Sequence, residues 1–304
     1  LRAVKELTAF VNDASPQVMS DAVRAIYDEA APQTFVEHPK ALAAVAAALD
    51  PQHSVSVNVR AIAANRRLGT IASAKRISGF LATPNLSRAL RVEALYALQS
   101  WPQASTLDPI DGRYFPIPAG DLDTLSAAIG PEIWSLANDA DDKVSRRAIS
   151  VLQSIKPSKA QRDQVAGFVL DEGQRSTVRK AWLRWLRKQD LALFTSVGVK
   201  ALYSKSPELR VVAAQELTEA KQGRSAVNSY LLATLKNSGD TVELQRAIKM
   251  VPRLPSKKSI IEQLVKELIA GRIAPDIQLE VLETATTATR DYTELKLQLE
   301  QYQN

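Results

Sequence analysis

The residues of this chain with the clearest chemical potential lie in the stretch Ser176 to Gln189, which reads STVRKAWLRWLRKQ. Trp182 and Trp185 are three positions apart, and arginines and lysines flank both of them. Indole rings beside cationic side chains could stack on nucleic-acid bases or contact a ligand. The same spacing, together with Val178 and Ala181, is also typical of the buried face of a helix. We expect Trp182 and Trp185 to be core residues and keep aromatic contact with a partner as the alternative.

Basic side chains recur at two offsets from a small residue that repeats along the chain. The offsets are one position before that residue and six positions after it, so the two sites are seven apart and share one helix face. Cations repeated along one surface attract an anionic partner more strongly than isolated charges do. We predict a partner-binding basic ladder on a concave surface, formed by Arg60, Arg67, Arg147, Lys180, Arg187, Arg246 and Arg253. The alternative is an ordinary solvated stripe, because Asp21, Glu93 and Glu280 interrupt the series.

Other residue types predict no catalytic centre, so we expect a protein that is not an enzyme and holds no cofactor or metal. The chain has no cysteine and only two histidines, His38 and His53, both in predicted connectors. Without cysteine, thiolate nucleophiles, zinc–thiolate sites and covalent c-type haem are excluded within this segment. Glycine-rich phosphate loops and a G-x-S-x-G nucleophile motif are also absent from the sequence. The acidic turn Asp139, Asp141 and Asp142 lacks the spacing of a calcium loop and is interpreted as a helix cap.

Composition and charge are those of an ordinary globular chain with a mild basic bias. Hydrophobic residues make up 45% of the chain, aromatics 6%, and the formal net charge is +6. That charge permits an acidic partner and is weaker than most dedicated DNA-binding domains show. No apolar run approaches the roughly 20 residues that a transmembrane helix needs, so we expect no membrane insertion. The chain begins at Leu1 without a basic and apolar leader, as expected of a processed chain or an excised fragment.

A repeating helical register connects these residues. An apolar–x–x–x–small pattern centres on Ala22, Ala61, Ala94, Ala148, Ala181, Ala213, Ala247 and Val281. Most intervals are close to 33 residues, as in 94−61=33 and 247−213=34, and helical repeats of this length are typical of solenoids. We predict one all-α, right-handed α-solenoid over residues 1–304, built from about eight HEAT-like (armadillo-like) helical hairpins and containing no sheet. The small reference residues should be buried where neighbouring second helices meet.

The period breaks once, because the interval from Ala94 to Ala148 is 148−94=54 residues. The extra residues are 102–120, PQASTLDPIDGRYFPIPAG, whose prolines and glycines exclude a helix. We predict a non-helical insertion that lies as a strap between half-arrays 1–101 and 121–304. Tyr114, Phe115 and Ile117 should anchor it, and Trp101 and Tyr114 should be largely buried. The alternative is a disordered linker.

Residues 21–118 resemble a narrower group of proteins. The sequence blocks AVRAIYD from Ala22, RAIAANRRLG from Arg60, RVEAL from Arg91, SWP from Ser100 and DPIDGRYFP from Asp108 come in this order. They are similar to the HEAT-repeat region of exported bacterial proteins that join a sugar-dehydrogenase-like propeller, this helical region and a C-terminal c-type cytochrome. Such proteins are called PVC-type haem-binding or membrane-bound dehydrogenase proteins. This chain departs from their pattern at Arg66, where they carry an aromatic, and at Tyr114-Phe115, where they carry Trp-Arg.

Two functions fit these observations. The resemblance implies a non-catalytic scaffold, a spacer and docking segment of a larger redox protein in the periplasm or outside the cell. Its partner would be a protein or a neighbouring domain with an acidic surface. The alternative is a basic nucleic-acid module similar to the HEAT-like alkylation-repair DNA glycosylases, suggested by Trp182, Trp185, Arg184 and Arg187. A small-ligand cleft under the strap is a third, weaker hypothesis.

Overall fold

The computed structural model describes residues 2–29, 39–254, 257–289 and 292–303. These residues are almost entirely helical and divide into two compact units, Leu1–Pro157 and Ser158–Asn304. The connector predicted around Pro32 to Pro39, including His38, lies largely outside the described residues. No helix in the described ranges is both long enough and apolar enough to cross a membrane.

The first unit contains nine helices and one hairpin of two strands within its described residues. They are α1 (Arg2–Leu7), α2 (Pro16–Glu29), α3 (Pro39–Ala47), α4 (Val55–Leu68), α5 (Ile71–Leu81), α6 (Arg88–Gln99), β1 (Ser105–Leu107), β2 (Tyr114–Ile117), α7 (Leu122–Ala128), α8 (Pro131–Leu136) and α9 (Asp142–Leu152). A short 3₁₀ helix, Thr8–Asn12, joins α1 to α2.

The second unit is helical throughout its described residues. Its helices are α10 (Lys159–Leu170), α11 (Ser176–Gln189), α12 (Leu191–Ala201), α13 (Pro207–Glu219), α14 (Arg224–Asn237), α15 (Thr241–Met250), α16 (Lys257–Ile269), α17 (Pro275–Thr289) and α18 (Thr293–Gln303). The 3₁₀ turn Val251–Arg253 follows α15.

The helices form helical hairpins. The second helix of each hairpin packs on the second helix of the next hairpin, in chain order. In the first unit α2 packs on α4, α4 on α6 and α6 on α9; in the second, α11 packs on α13, α13 on α15 and α15 on α17. Because each repeat contacts mainly its neighbours, the fold is that of an all-α solenoid with HEAT-like repeats. This confirms the predicted fold class, while its handedness stays a prediction. The predicted absence of any sheet is wrong, since β1 and β2 form an antiparallel hairpin in the insertion.

The small reference residues are buried as predicted, with one exception. Seven of the eight are at most 3% exposed, whereas Ala181 is only half-buried. In α9 the buried positions are Val144, Ser145, Ala148, Ile149, Val151 and Leu152. In α11 the same spacing of buried positions is Val178, Arg179, Trp182, Leu183, Trp185 and Leu186. The reference residue of this repeat is therefore Trp182, one position after the predicted one, because a large side chain replaces alanine at the contact.

A polar side chain three positions before the reference residue, buried in Asn58, Ser145 and Arg179 and half-buried in Arg210 and Gln278, ties each of several second helices to its own hairpin turn. Five second helices share this contact to a backbone carbonyl of the preceding turn. The bonds are Asn58 Nδ2 to His53 O (3.0 Å), Ser145 Oγ to Ala137 O (2.7 Å), Arg179 Nε to Val169 O (2.8 Å), Arg210 Nη1 to Ser204 O (2.7 Å) and Gln278 Nε2 to Ile273 O (2.9 Å). Turn carbonyls removed from water need such donors. The recurrence also supports Trp182 as the reference residue of α11.

Side-chain caps set where many helices begin. The capping residues, each accepting a backbone N–H of the first turn, are Ser54, Thr70, Ser87, Asp121, Asp141, Ser158, Asp190, Ser206 and Asp240. Such caps satisfy N–H groups that have no partner within the helix. Gly69 ends α4 with φ 62°, as its position predicted, because a left-handed residue is needed there. Asp141 accepts from the amides of Lys143 and Val144, which confirms the cap interpretation of the acidic turn.

The insertion does not separate two half-arrays. Helix α5 packs on α7, and α6 packs on α9, so helices on both sides of residues 102–120 belong to the same unit. The division between units falls instead at Pro157 and Ser158.

The helix predicted over Leu122 to Ala137 is two helices, because Gly130 and Pro131 interrupt it and Pro131 starts α8.

The insertion itself is ordered, but its anchors differ from those predicted. Trp101 is fully buried and Ile117 is 4% exposed, whereas Tyr114 is 70% exposed and the prediction of its burial is wrong. Tyr114 pairs across the hairpin with Leu107, which is also exposed. The end of the insertion returns to Trp101, where Gly120 N donates to Trp101 O at 2.7 Å. A Cβ at Gly120 would lie 2.4 Å from Trp101 Nε1, so glycine is required by this close approach.

We expect Ala148→Leu to lower the free energy of unfolding by about 1–3 kcal/mol, because extra methyl groups overpack the fully buried contact between α6 and α9. Ala181→Leu is the matched comparison. Its half-buried position leaves room toward solvent, so its destabilisation should be clearly smaller. Urea unfolding of both variants measures the difference, and equal losses would contradict the revised register of α11.

We expect acid to weaken the second unit through Glu172. Hydrogen bonds from Arg179, then from Ser204, lower the pKa of Glu172 from 4.5 to about 2 against the opposing effect of burial. A carboxyl whose pKa is lower in the folded state contributes stability above pH 4.5, and this is lost as pH falls toward 2. Between about pH 5 and pH 3 the urea midpoint of the wild type should fall more steeply than that of Glu172→Gln. Parallel pH profiles would show that this pair does not contribute.

Candidate functional site

The insertion is fastened to the helices by Arg67, which lies buried beneath it. Its Nη2 and Nε contact Asp108 Oδ2 at 2.5 and 3.2 Å, and the two side chains are 4% and 1% exposed. The guanidinium carbon lies 3.9 Å from the ring centroid of Tyr27 and 3.7 Å from that of Phe115. A cation between two aromatic rings and a carboxylate is stabilised by both kinds of contact. Arg67 therefore joins α4 to α2 and to both ends of the hairpin loop.

Tyr27 completes this buried cluster. Its hydroxyl donates to Asp108 Oδ2 at 2.8 Å, across 81 positions of sequence. Burial, together with the nearby Asp108, raises the pKa of Tyr27 well above its usual value, while Arg67 opposes the shift. The phenol is thus a neutral hydrogen-bond donor, suited to holding the carboxylate rather than to acid–base chemistry.

The preceding residue, Arg66, holds the two ends of the insertion together. Its guanidinium donates to Ser100 O at 3.1 Å, Gln103 O at 2.6 Å and Pro118 O at 3.1 Å, and it lies 5.6 Å from the Trp101 ring centroid. Burial lowers the pKa of Arg66. The carbonyl groups of irregular backbone lack the hydrogen-bond partners that a helix or a sheet provides. The five N–H donors of an arginine side chain can bind several of them. Arg66, where this chain differs from the proteins that it resembles, therefore has a structural role in holding the insertion.

A cleft of about 340 Å³ lies between the hairpin and α6, where the sequence suggested a small-ligand site. Its walls include Ile62, Leu107 and Ile117, and its polar groups include Glu93 and Ser100. Burial raises the pKa of Glu93, an effect that the nearby Arg147 and Lys143 oppose. The cleft has the size of a small-ligand pocket. Its second carboxylate, Asp108, is already bound by Tyr27 and Arg67, so its role there is structural.

In the first unit, the residues of the predicted basic ladder contact other side chains of the protein. Arg60 contacts Asp28 through Nε–Oδ1 at 2.8 Å and is 15% exposed, and this hydrogen bond raises its pKa. Arg67 is buried, so its predicted exposure is wrong. Arg147 donates to Gln99 Oε1 at 2.5 Å and lies 4.9 Å from the Tyr96 ring centroid. The partners of Arg60 and Arg147 lie on a neighbouring second helix, so these two cations join consecutive repeats, whereas Arg67 is paired with Asp108 of the insertion.

In the second unit, two of the four residues of the predicted ladder form ion pairs. Lys180 Nζ contacts Glu208 Oε2 at 2.5 Å, and Arg187 Nη1 contacts Glu216 Oε2 at 2.5 Å and Glu219 Oε2 at 2.7 Å. With Trp182 as the reference residue, Lys180 and Arg187 are also one position away from the predicted offsets. Arg246 and Arg253 are exposed, as predicted. A single surface formed by all seven residues stays a prediction.

The two tryptophans of α11 are core residues. Trp182 and Trp185 are each 0% exposed, with ring centroids 5.5 Å apart in an edge-to-face arrangement, and Phe168 stacks on Trp182 at 6.4 Å. Rings enclosed in this way cannot stack on a base or a ligand while the helix is packed. The core interpretation is confirmed, and the alternative of aromatic contacts with a partner is wrong for this structure.

Other predicted candidates lie apart from these contacts. His53 is in the turn before α4, where its Nδ1 lies 2.9 Å from Ala48 O. Asp139 and Asp141 contact Arg91 and Arg88, so the acidic turn also links two repeats. Sequence reasoning missed the Tyr27–Arg67–Asp108 cluster, whose members are far apart in the chain. It also missed Lys221 and Arg224, which do not follow the repeat register. The spacing of Asn58, Ser145 and Arg210 was visible and could have revealed the buried polar position.

Comparison with known proteins gives only distant structural likenesses. No protein-family model matches the chain, and no curated protein matches its sequence. The designed armadillo repeat protein YIII(Dq)4CqI is similar over 92% of this chain and 98% of its own, with 15% identity and a TM-score of 0.37. The crystal structure of Kap121p is similar over 97% of this chain, with 11% identity and a TM-score of 0.41, and the chain spans 27% of its length. Likenesses of this size say nothing about what the chain binds.

We expect Asp108→Asn to lower the free energy of unfolding by about 3–5 kcal/mol, because it leaves the Arg67 guanidinium buried without its counter-charge. Glu208→Gln is the matched control, since it breaks an ion pair whose carboxylate is 57% exposed and should change stability by roughly 0–1 kcal/mol. Urea unfolding of the intact chain measures both. Similar small losses in the two variants would contradict the anchoring role of Asp108.

Proposed function

We propose that this chain is a non-catalytic helical-repeat scaffold that holds neighbouring domains or a protein partner at defined positions. One observation carries the proposal: the charged residues of the second helices connect consecutive repeats. The pairs include Arg60–Asp28, Arg187–Glu216 and Arg210–Glu243, each between adjacent second helices. Charge networks of this kind favour one defined arrangement of helices, which suits a spacer.

The residues that carry the family resemblance support a more specific context. Tyr27, Arg67, Trp101 and Asp108, from four of the five resembling sequence blocks, meet around the insertion. A sequence pattern whose members meet in space is a folding unit, and this favours shared ancestry with the helical region of the exported propeller–HEAT–cytochrome proteins. We therefore propose a spacer and docking segment of a periplasmic or extracellular redox protein. Within it, Arg246 and Arg253 are the ladder residues that remain exposed to an acidic protein surface.

The nucleic-acid module is the competing function, and its expected contacts are weakened. Trp182 and Trp185 are buried, while Arg184 and Arg187 both contact Glu216. Because these four side chains are engaged within the fold, α11 does not present the aromatic and basic groove that suggested this function.

Fluorescence anisotropy with duplex DNA separates the two functions. We expect only weak binding at about 0.15 M salt, of the sequence-independent kind that disappears as salt rises. Micromolar binding at that salt, with a dependence on ionic strength indicating several phosphate contacts, would overturn the scaffold proposal.

The family context has its own test in the coding sequence around this segment. A propeller upstream and a CxxCH motif downstream in the same reading frame are the expected result, and other flanking domains would refute that context.

A further inference from the structure

A cleft of about 390 Å³ between the end of α13 and the start of α14 gathers three cationic side chains. Lys221 comes from the turn after α13, Arg224 from the first residue of α14, and Arg253 from the 3₁₀ turn after α15. All three residues are exposed. The apolar wall behind them includes Val227 and Leu254, which are buried. Two segments of the second unit, residues 221–224 and the 3₁₀ turn with Arg253, thus bring three positive charges to one concave site.

These charges are not used to hold the fold together. Among the described residues, none of the three side chains forms an ion pair or a side-chain hydrogen bond, unlike the cations of α11 and α13. The one carboxylate that lines the cleft, Glu219, contacts Arg187 at 2.7 Å. The cleft therefore retains uncompensated positive charge in a chain that otherwise pairs most of its buried and half-buried cations.

The backbone adds to this charge without determining it. Lys221 and Gly223 have φ of 56° and 57°, so the turn between α13 and α14 contains two left-handed residues. Gly223 is the N-cap residue just before α14, a helix of 14 residues, and provides no side-chain acceptor for its first-turn N–H groups. Unpartnered N–H groups at a helix start carry partial positive charge. At many other helix starts in the described ranges, a Ser, Thr or Asp side chain occupies this place.

We propose that this cleft, lined by Lys221, Arg224 and Arg253, binds a phosphate monoester. A carboxylate offers one charge and two oxygens in a plane, which a single arginine can satisfy. A phosphate monoester carries up to two negative charges and three free oxygens pointing in different directions. Three cations that line one cleft match the higher charge and the larger number of oxygens of the phosphate monoester. A volume of about 390 Å³ also admits a small organic group attached to the phosphate.

Calorimetric titration of the intact chain with inorganic phosphate and with O-phosphoserine tests the site. We expect both to bind with a dissociation constant of about 1 mM or tighter, and L-serine not to bind. The affinity should rise between about pH 5.5 and 7.5, because the second phosphate pKa is about 6 and the dianion is the better ligand. In Arg224→Gln/Arg253→Gln the affinity should fall at least about tenfold, since charge-assisted hydrogen bonds are lost.

A matched variant separates the site from general electrostatics. Arg24→Gln/Arg146→Gln removes two exposed arginines outside the cleft and should bind phosphate as the wild type does. Equal losses in the two double variants, absence of phosphate binding, or glutamate binding as tightly as phosphoserine would each overturn the proposal. A short phosphoserine peptide that binds as well as free phosphoserine would identify a phosphorylated protein as the source. Binding of the free compounds alone would identify a small metabolite. DNA titration tests the scaffold function separately, so either proposal can fail alone.

Discussion

The arrangement of this fold depends on hydrogen bonds between buried or half-buried polar side chains and the hairpin turns. Each hairpin must reverse the chain, and the turn leaves carbonyl groups without helical partners. Asn58, Ser145, Arg179, Arg210 and Gln278 supply the missing donors from the same position of five different second helices. In these five repeats the contact helps to fix the position of the second helix along its own first helix. The stacking of one repeat on the next then follows, because the small or aromatic reference residue lies three positions further along the same face.

The charged residues act at the next level, between repeats. Arginines and lysines of one second helix meet acids of the adjacent second helix, as in Arg60–Asp28, Lys180–Glu208 and Lys249–Glu280. Exposed pairs of this type contribute little stability individually, whereas the buried pairs would leave a bare charge if one member were removed. Their common effect is to select one register between repeats.

The insertion uses a different solution to the same problem of unsatisfied backbone. A two-stranded hairpin with proline-rich ends cannot be held by helical hydrogen bonds, so Arg66 and Arg67 take over that role from the end of α4. Arg66 binds the carbonyls where the insertion leaves and returns. Arg67, whose guanidinium lies on the rings of Tyr27 and Phe115, holds Asp108. The insertion therefore becomes part of the first unit, and its exposed Leu107 and Tyr114 pair is left on the outer surface.

By itself the sequence determined the helical repeat, most helix boundaries and the burial of the small reference residues, because these depend on local spacing and on capping residues. It also located the insertion, since four prolines and two glycines within 19 residues exclude a continuous helix there. Only the tertiary structure decided the register of α11, where Trp182 rather than Ala181 meets the neighbouring helices. It likewise decided which cations are available: Arg67 is buried, Lys180 and Arg187 are paired, and Arg253 shares a cleft with Lys221 and Arg224. The physical reason is that the partners that connect repeats lie about 30 to 80 positions apart in the chain, as with Arg60 and Asp28 or Tyr27 and Asp108, and periodicity within a helix carries no information about them.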